Sequence, residues 1–592
     1  MPLLRFNLLL RVATVILPLS LVVFLYERAL VPLYGTGPTT FLLNKVILCA
    51  ILVSALQPCR FSSSNTWLFT AVALTLAPNA TYWTAVWTSK FLKDPVLGPA
   101  LTHALVLGPL VFVLATFSMH DDRIRPAPIT LRLIRSASIY VSVIGLAQRL
   151  WSRLSALNII SESQIFLAFA GISYAVWIMK LPLPLNQDTV KSRRHLPRHK
   201  ASSASQVKYI LLIVFGAVWW SISPLLANPV LPHPLPQPFT HPTYPLQILS
   251  AVQSVTGLIT VAEWLPLPSQ NGNDQEMHSV RYLRASHSLL GGVWTRSKVQ
   301  TLDGVLPVSD SFGTPLGDSI YSTFVLQEAV RLVNSTEVGK SGKWSNVLII
   351  GLGTGISATS FIRHDISATI VEIDPAVYMA ARTYFGLPDP GPENVFLEDA
   401  RSWVDRRRVD ISTGVDAPLF DIVVHDCFSG GSVPEHIFTT EFWEDVKETM
   451  QPEGIVVVNF AGIIHSEPSK LITNTLQRSF RQCRAFHDMS EDLPEEKYDT
   501  EFVNMVLFCT LSSSPLTFRQ PKSSDYLGSY LRKHIFQSLA EREVNLALIQ
   551  EPDAKYILTD KNNSLGKLGG RQGAHHWEVM RQVLPDVHWE TY

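Results

Sequence analysis

The stretch Val347-Leu348-Ile349-Ile350-Gly351-Leu352-Gly353-Thr354-Gly355 is an apolar run that empties into three alternating glycines. Seventeen residues past the last glycine, a second apolar segment ends in acid, Val371-Glu372-Ile373-Asp374. Glu398-Asp399-Ala400 closes a third segment, and Phe420-Asp421-Ile422-Val423-Val424-His425-Asp426 forms a fourth. Four strands in this series predict a parallel sheet with a glycine loop and three acidic strand ends along its carboxyl edge. Open α/β sheets bind their ligands at that edge.

Each block narrows the ligand. Gly351, Gly353 and Gly355 let the backbone turn sharply and approach a ligand without a Cβ in the way, and Ile356 to Phe361 reads as the following helix. A tight strand-to-helix turn with no ligand would use the same glycines. Glu372 tips the balance, because a carboxylate at the end of a second strand can accept both hydroxyls of a ribose. Two features disfavour a dinucleotide. Position 356 is Ile, so the third glycine of GxGxxG is missing, and Asp399 adds an acid where an adenine amino group could donate. An adenosyl-sulfonium ligand is the better expectation, with Gly351, Gly353, Gly355, Glu372, Asp399 and Ala400 as its binding residues.

From about Ile248 to Asp560 the chain resembles the spermidine/spermine synthase family. The resemblance is carried by Ser254-Val255-Thr256-Gly257 to Glu263, Val280-Arg281-Tyr282-Leu283-Arg284 and His287-Ser288-Leu289-Leu290-Gly291-Gly292, which are similar to the family's small N-terminal β-region. Gly317-Asp318-Ser319-Ile320-Tyr321 is similar to its Asp-Glu-x-x-Tyr segment, Val371 to Asp374 to its ribose motif, and Ile557-Leu558-Thr559-Asp560 to its closing Leu-Thr-Asp. Asp426 stands where the family carries Asp-Ser-Ser-Asp-Pro. The resemblance implies a Rossmann-like, methyltransferase-type fold, decarboxylated S-adenosylmethionine as co-substrate, and Asp426 and Tyr321 as catalytic residues.

Departures from that pattern concern the acceptor. After Asp426 the loop reads Cys427-Phe428-Ser429-Gly430-Gly431, so Ser429 replaces the second acid that helps hold a cationic polyamine. The family's Gly-Gly-Gly-Asp-Gly-Gly becomes Gly-Leu-Gly-Thr-Gly-Ile, with neutral Thr354. The polar pair after Tyr321 is neutral Ser322-Thr323. These changes predict a retained donor pocket and a rebuilt acceptor pocket.

An amine acceptor must lose a proton before its lone pair attacks the carbon beside a sulfonium, and a carboxylate at Asp426 could take it as general base. His425 could relay the proton, but a strand-end ring facing a helix is the more ordinary reading. Asp426 itself could instead cap nearby backbone N–H groups. Cys427 is discounted as a nucleophile, because an adjacent carboxylate raises a thiol pKa and no basic partner is evident.

The two halves of the chain differ in composition. Lysine plus arginine equal aspartate plus glutamate, 49 each, yet mean hydropathy is +0.18. Apolar runs near Val12–Leu30, Thr40–Leu56, Trp67–Trp87, Leu97–Phe117, Ser136–Leu150, Gln164–Leu183 and Val207–Leu226 account for it. Several can cross a hydrocarbon core of about 30 Å, although the fifth is short and weak. One run could be a cleaved signal, but six more behind it favour spans over buried core helices. The expected organisation is a multi-pass helical transmembrane bundle over 1–228 and a proline-rich linker over 229–246, too proline-dense for a helix or a central strand. A catalytic domain follows over 247–592, divided into a β-region, 247–315, and the nucleotide-binding domain, 316–592.

Basic residues between Lys191 and Lys200 favour a cytosolic loop, which would send the catalytic domain to the opposite side. The donor is a cytosolic metabolite, so a cytosolic catalytic domain is expected on chemical grounds; either the count of seven spans is off by one or the basic loop is not where its charge suggests. Asn79-Ala80-Thr81 and Asn334-Ser335-Thr336 fit a glycosylation pattern that arises often by chance. Five cysteines, Cys49, Cys59, Cys427, Cys483 and Cys509, show no paired spacing, so neither disulfide framework nor zinc site is indicated and a reduced compartment is expected. His575-His576 reads as surface histidines rather than a metal site. Arg406-Arg407-Arg408 reads as a solvated helix end rather than a nucleic-acid contact.

Val433-Pro434 to Phe442 is expected to begin a helix, Ile455 to Phe460 to form a fifth strand, and Asn504 to Leu511 to return at the sheet edge. The expected partners are a small-molecule amine and the lipid bilayer, with no nucleic acid and no metal; a homodimer is left open. Three functions compete. Aminopropyl transfer from decarboxylated S-adenosylmethionine to an amine other than a standard diamine comes first. Methyl transfer from S-adenosylmethionine is second, and a non-catalytic nucleotide sensor third.

Overall fold

The computed structural model describes residues 2–56, 62–119, 128–181, 198–266, 279–334, 344–427 and 433–592. Ser429, Cys59, Lys191, Ser335 and Thr336, singled out above, lie outside them. Two units divide the chain, one formed mainly by residues 1–233 and the other by 234–588.

The first unit is helical. Its helices are α1 (Pro2–Tyr34), α2 (Thr36–Leu56), α3 (Ser63–Phe91), α4 (Leu97–Thr102) running through a π-turn into α5 (Gly108–Met119), α6 (Ile129–Arg149), α7 (Glu162–Lys180) and α8 (Arg198–Ile222). Among the described residues, six stretches are long and apolar enough to cross a membrane: Val15–Tyr34, Thr36–Leu56, Leu97–Ser118, Ile129–Arg153, Glu162–Lys180 and Gln206–Leu226. The run read as the weak fifth is therefore a full-length helix. The Trp67–Trp87 run lies in the long α3 but is not among the six; its threonines, Ser89 and Asn79 dilute it. On α8, Ile213 and Trp220 are 73% and 83% exposed. Apolar side chains turned outward along a helix suit hydrocarbon better than water. Within the bundle, Arg28 donates to Glu162 and to the carbonyls of Leu157 and Ile160.

The second unit opens with five antiparallel strands in sequential order: β1 (Phe239–Thr240), β2 (Leu246–Ser254), β3 (Gly257–Trp264), β4 (Val280–Ala285) and β5 (Ser288–Trp294). The sheet thus begins at Phe239, inside the segment read as linker. The proline-dense chain can still supply a two-residue edge strand, where a missing N–H costs no ladder bond. A two-strand ladder follows, β6 (Val308–Ser309) and β7 (Pro315–Leu316), and then α9 (Ser322–Glu328).

The main sheet alternates with helices: β8 (Asn346–Ile350), α10 (Ile356–Arg363), β9 (Ser367–Val371), α11 (Pro375–Tyr384), β10 (Val395–Phe396), α12 (Ala400–Ser412), β11 (Phe420–His425), α13 (Thr440–Glu448), β12 (Met450–Ile463), α14 (Glu467–Ser479), β13 (Gln482–His487), β14 (Phe502–Thr510), α15 (Tyr530–Gln537) and β15 (Glu543–Val544). Strand order is β10-β9-β8-β11-β12-β14-β13-β15, with the first five parallel and β14 antiparallel between β12 and β13. This is the sheet of the Rossmann-like methyltransferase-type fold. Order reverses between β8 and β11, which makes the gap beyond their carboxyl ends the ligand crevice.

Both sheet faces are buried. Leu348 and Ile350 join one core with Trp403, Phe442, Trp443 and Leu471, while Val347 and Ile349 join the other with Leu326, Phe361 and Phe536. Alternate side chains of one strand serve opposite helical layers, which is why β8 reads as an unbroken apolar run.

Three local expectations are corrected. The late strand is interior rather than at the edge, because β13 pairs outside it and β15 outside that. The segment from Val433 forms a short 3-10 turn at Glu435–Ile437 before α13 begins. Cys483 and Cys509 form a disulfide, against the expectation of none: they face each other across β13 and β14 with Cα atoms 4.2 Å apart. Their 26-residue separation hides a pairing that only strand register creates.

Breaking that bond by Cys483→Ser, or by reduction, is expected to cost about 2–4 kcal/mol and lower the thermal midpoint of the full chain by several degrees. Unfolding in detergent with and without reductant checks this; coincident curves would contradict it.

Candidate functional site

A cavity of about 490 Å³ opens at the crevice between β8 and β11. Seven of the eight residues expected at the site line it: Tyr321, Gly351, Gly353, Glu372, Asp399, Ala400 and Asp426. Gly355 is instead the N-cap of α10, in the left-handed conformation. Gly351 and Gly353 also adopt positive φ. A Cβ at Gly351 would lie 2.3 Å from the Asp426 carbonyl oxygen, and one at Gly353 would lie 2.7 Å from that of Leu290. These glycines therefore admit neighbouring backbone from β11 and the antiparallel sheet, and not only a ligand.

Glu372, just past β9, is the pivot of the loop. Its carboxylate accepts the Leu352 N–H at 2.8 Å and the Asp374 N–H at 2.9 Å. Each oxygen keeps a lone pair for a ribose hydroxyl. Burial pushes its pKa to about 7, against the lowering effect of those N–H groups. Asp374 faces the antiparallel sheet instead, accepting Ser254 Oγ, Thr256 N–H and Thr256 Oγ while capping α11 through Ala376 N–H.

Asp399 begins α12. One oxygen accepts the Ser402 N–H and the other bonds His436 Nε2 at 2.7 Å. Burial alone would raise its pKa, but donation from His436 and Ser402 outweighs that and holds the carboxyl below its usual value. His436 is thus a site residue that sequence spacing did not disclose.

Asp426, just past β11, is held by two neutral amides. Gln327 Nε2 donates to one oxygen at 2.9 Å and Asn459 Nδ2 to the other at 2.8 Å. Burial raises its pKa, and the amides offset part of the shift. A carboxylate raised in this way is a stronger base toward an acceptor proton. Asn459 is visible in the sequence as a polar residue inside Val456-Val457-Val458-Asn459-Phe460; Gln327 had no such signal. Buried Gln327 Oε1 and Thr354 Oγ lack partners among the described residues.

The remaining candidates sort by environment. His425 is fully buried against Phe438, Phe442 and Trp443, and burial drops its pKa to about 4, so it packs the core rather than relaying protons. The Cys427 thiol is pushed up by burial and then by the carboxylates of Glu372, Asp426 and Asp399, which agrees with its dismissal as a nucleophile. Burial and nearby Asp488 raise the Tyr321 phenol. Asp488 was missed: it accepts from Asn504, which lines the cavity, and burial pushes it to about 6.

A C-terminal helix, α16 (Leu565–Val583), supplies His576, Val579, Met580 and Val583 to the cavity wall. His576 is 4% exposed and bonds Ser288 Oγ at 3.2 Å. The reading of His575-His576 as a surface pair holds for the first residue only. Tertiary packing of a distant helix over β5 buries the second.

A ribose bound here would donate its hydroxyls to ionised Glu372, and binding would then draw its pKa below the free value of about 7. Affinity for S-adenosylhomocysteine is then full above about pH 7 and falls as pH drops through that value, by up to tenfold per unit. Calorimetry from about pH 8 to about pH 6 checks the sign; an affinity that stays flat, or rises on acidification, contradicts it. Glu372→Ala is expected to abolish measurable binding.

Residues 331–494 match the family model of the spermine/spermidine synthase domain. Over 322 residues, 53% of this chain and 54% of the relative, the chain is 35% identical to the N-terminal histidine N-methyltransferase of Emericella nidulans. Over 119 residues, 20% of this chain and 38% of the relative, it is 34% identical to the polyamine aminopropyltransferase of Vibrio vulnificus. The chain thus spans about half or less of the length of these relatives. The crystal structure of spermidine synthase from Thermotoga maritima aligns with 53% of this chain and 94% of its own, at 17% identity and a TM-score of 0.30. What residues 331–494, within the second half of the chain, are similar to is thus the spermine/spermidine synthase domain.

Proposed function

We propose that this protein is an S-adenosylmethionine-dependent N-methyltransferase acting on the amino-terminal residue of a polypeptide, with histidine as the first acceptor to test. The acceptor side of the cavity is the observation that supports it most. Strands β11, β12 and β14 and helix α9 contribute Tyr321, Thr323, Asp426, Asn459 and Asn504 there, and Asp426 is the one carboxylate among these described residues. A diamine with an aminopropyl donor would bring several ammonium groups to that place. One carboxylate is a poor match for them, since buried cations need paired charge. An imidazole is largely neutral near pH 7 and needs a single base. The relative from Emericella nidulans acts on an amino-terminal histidine, and its similarity extends over 322 residues.

In the step envisaged, the acceptor nitrogen's lone pair forms a bond to the methyl carbon. The carbon–sulfur bond breaks with its electron pair staying on sulfur, leaving S-adenosylhomocysteine, and the surplus proton of the acceptor passes to Asp426. Gln327 and Asn459 orient that carboxylate, and Glu372 holds the ribose.

Aminopropyl transfer is the second reading. It is favoured by the family match and by the absence of lysine and arginine among the lining residues, where a methionine carboxylate would need a partner.

We place the first unit in a membrane and the catalytic domain on the side away from the basic stretch Lys191 to Lys200, because a single candidate span, Gln206–Leu226, lies between them. The Cys483–Cys509 disulfide supports an oxidising compartment, against the cytosolic placement expected from donor supply. An amino-terminal histidine also fits that side. Translation begins with methionine, so such a terminus arises by proteolytic processing, as removal of an export leader would produce.

Incubating the purified full chain with S-adenosylmethionine and histidine-terminated peptides should give peptides carrying one added methyl group, read by mass spectrometry. An added aminopropyl group from the decarboxylated donor, with no methylation, would favour the second reading. Asp426→Asn is expected to reduce kcat by about 100-fold or more while S-adenosylhomocysteine affinity changes little. Loss of that affinity in a folded variant would contradict its role as base.

A further inference from the structure

A second cavity, of about 390 Å³, adjoins the first within the same domain. The two share Leu289, Tyr321 and Val583, so they meet across those side chains. The antiparallel sheet explains why a chamber exists here. Trp264, Val280 and Trp294 are directly opposed across β3, β4 and β5, which sets them in a row on one face. Two residues along, Tyr282 is flanked by Ala262 and Gly292. Ile320 packs over Gly292 and, with Tyr282 and the row of large side chains, walls the chamber.

The hollow is apolar. None of its lining residues bears a charge, and the Tyr282 hydroxyl is already engaged with His588 Nδ1 at 2.8 Å. Water gains little in a space with so few polar partners. A charged side chain entering it would lose hydration with nothing in return. An aromatic ring, by contrast, would find Trp264, Trp294, Tyr282 and Tyr321 around it, the setting in which ring pairs pack edge to face or offset.

The position of this chamber matters as much as its chemistry. Asp426 lines the first cavity and not the second, so a group in the chamber would belong to a residue beside the one reacting at Asp426. We propose that the chamber binds an aromatic side chain of the acceptor polypeptide, carried by the residue that follows its terminal one, and so selects which polypeptides are modified. This rests on the methyl-transfer reading above for the identity of the acceptor.

Calorimetry on the full chain saturated with S-adenosylhomocysteine tests it, using histidyl-phenylalanine amide, histidyl-glycine amide and histidyl-lysine amide. The phenylalanine form is expected to bind at least about tenfold tighter than the glycine form, and the lysine form no tighter than glycine. Val280→Trp, which fills the chamber from a residue outside the donor cavity, should remove the preference while leaving S-adenosylhomocysteine affinity intact. Equal affinities for the phenylalanine and glycine forms, or a preference that survives in Val280→Trp, overturn the proposal. If that variant fails to bind S-adenosylhomocysteine, the comparison on the unsubstituted protein decides alone. Methylation of the same peptides is read separately. A binding preference without methylation refutes the proposed function and leaves the chamber's role standing; methylation without a preference does the reverse.

Discussion

Two backbone N–H groups, from Leu352 and Asp374, donate to the single buried carboxylate of Glu372, and the form of the site depends on that junction. Leu352 belongs to the glycine loop after β8, and Asp374 to the turn after β9. Joining them through one side chain holds the loop open at the crevice and keeps the carboxylate where a ribose would lie. The cost is desolvation of an acid, which raises its pKa toward neutrality. A buried carboxylate is tolerated because hydrogen bonds compensate it, and a ligand's hydroxyls would add two more.

The same turn fastens the antiparallel sheet. Asp374 accepts from Ser254 and Thr256 at the β2–β3 turn. Farther along, Arg281 on β4 joins Glu263, Asp310 and the Tyr384 carbonyl, which tie β3, the β6–β7 ladder and the end of α11 together. Glu372 and Asp374, two residues apart, therefore divide the labour: one lines the cavity and the other holds the sheet that walls it. On the opposite side of the crevice, Thr323, Asn459, Gln327 and Asp426 form a neutral-amide cradle around one acid. Donor and acceptor contacts come from different strands, which allows one to be kept while the other is rebuilt.

The parts of the site that were legible in the sequence are those set by local backbone. A β-strand that ends in alternating glycines, and acids at successive strand ends, mark the carboxyl edge of a parallel sheet before any coordinates exist. Glu372 and Asp426 were found for this reason. His436, Gln327 and His576 were not, because each comes from an element whose own pattern reads as ordinary helix or turn. Gln327 lies in a short helix in which nearly every residue is buried, so polarity alone did not mark it out. Cys483 and Cys509 were separately unremarkable, since their pairing is a property of register between β13 and β14.

The amino-acid sequence by itself determined the split into an apolar helical half and an α/β half, the parallel core strands, and the acids that line the cavity at their carboxyl ends. Period and composition act over a few residues, and those features need no more. Tertiary structure alone decided which histidine is buried, which cysteines join, where β14 inserts, and that a second apolar chamber adjoins the first at Tyr321. Each of these depends on distant segments meeting at particular register, and contacts of that range leave no periodic trace in the chain.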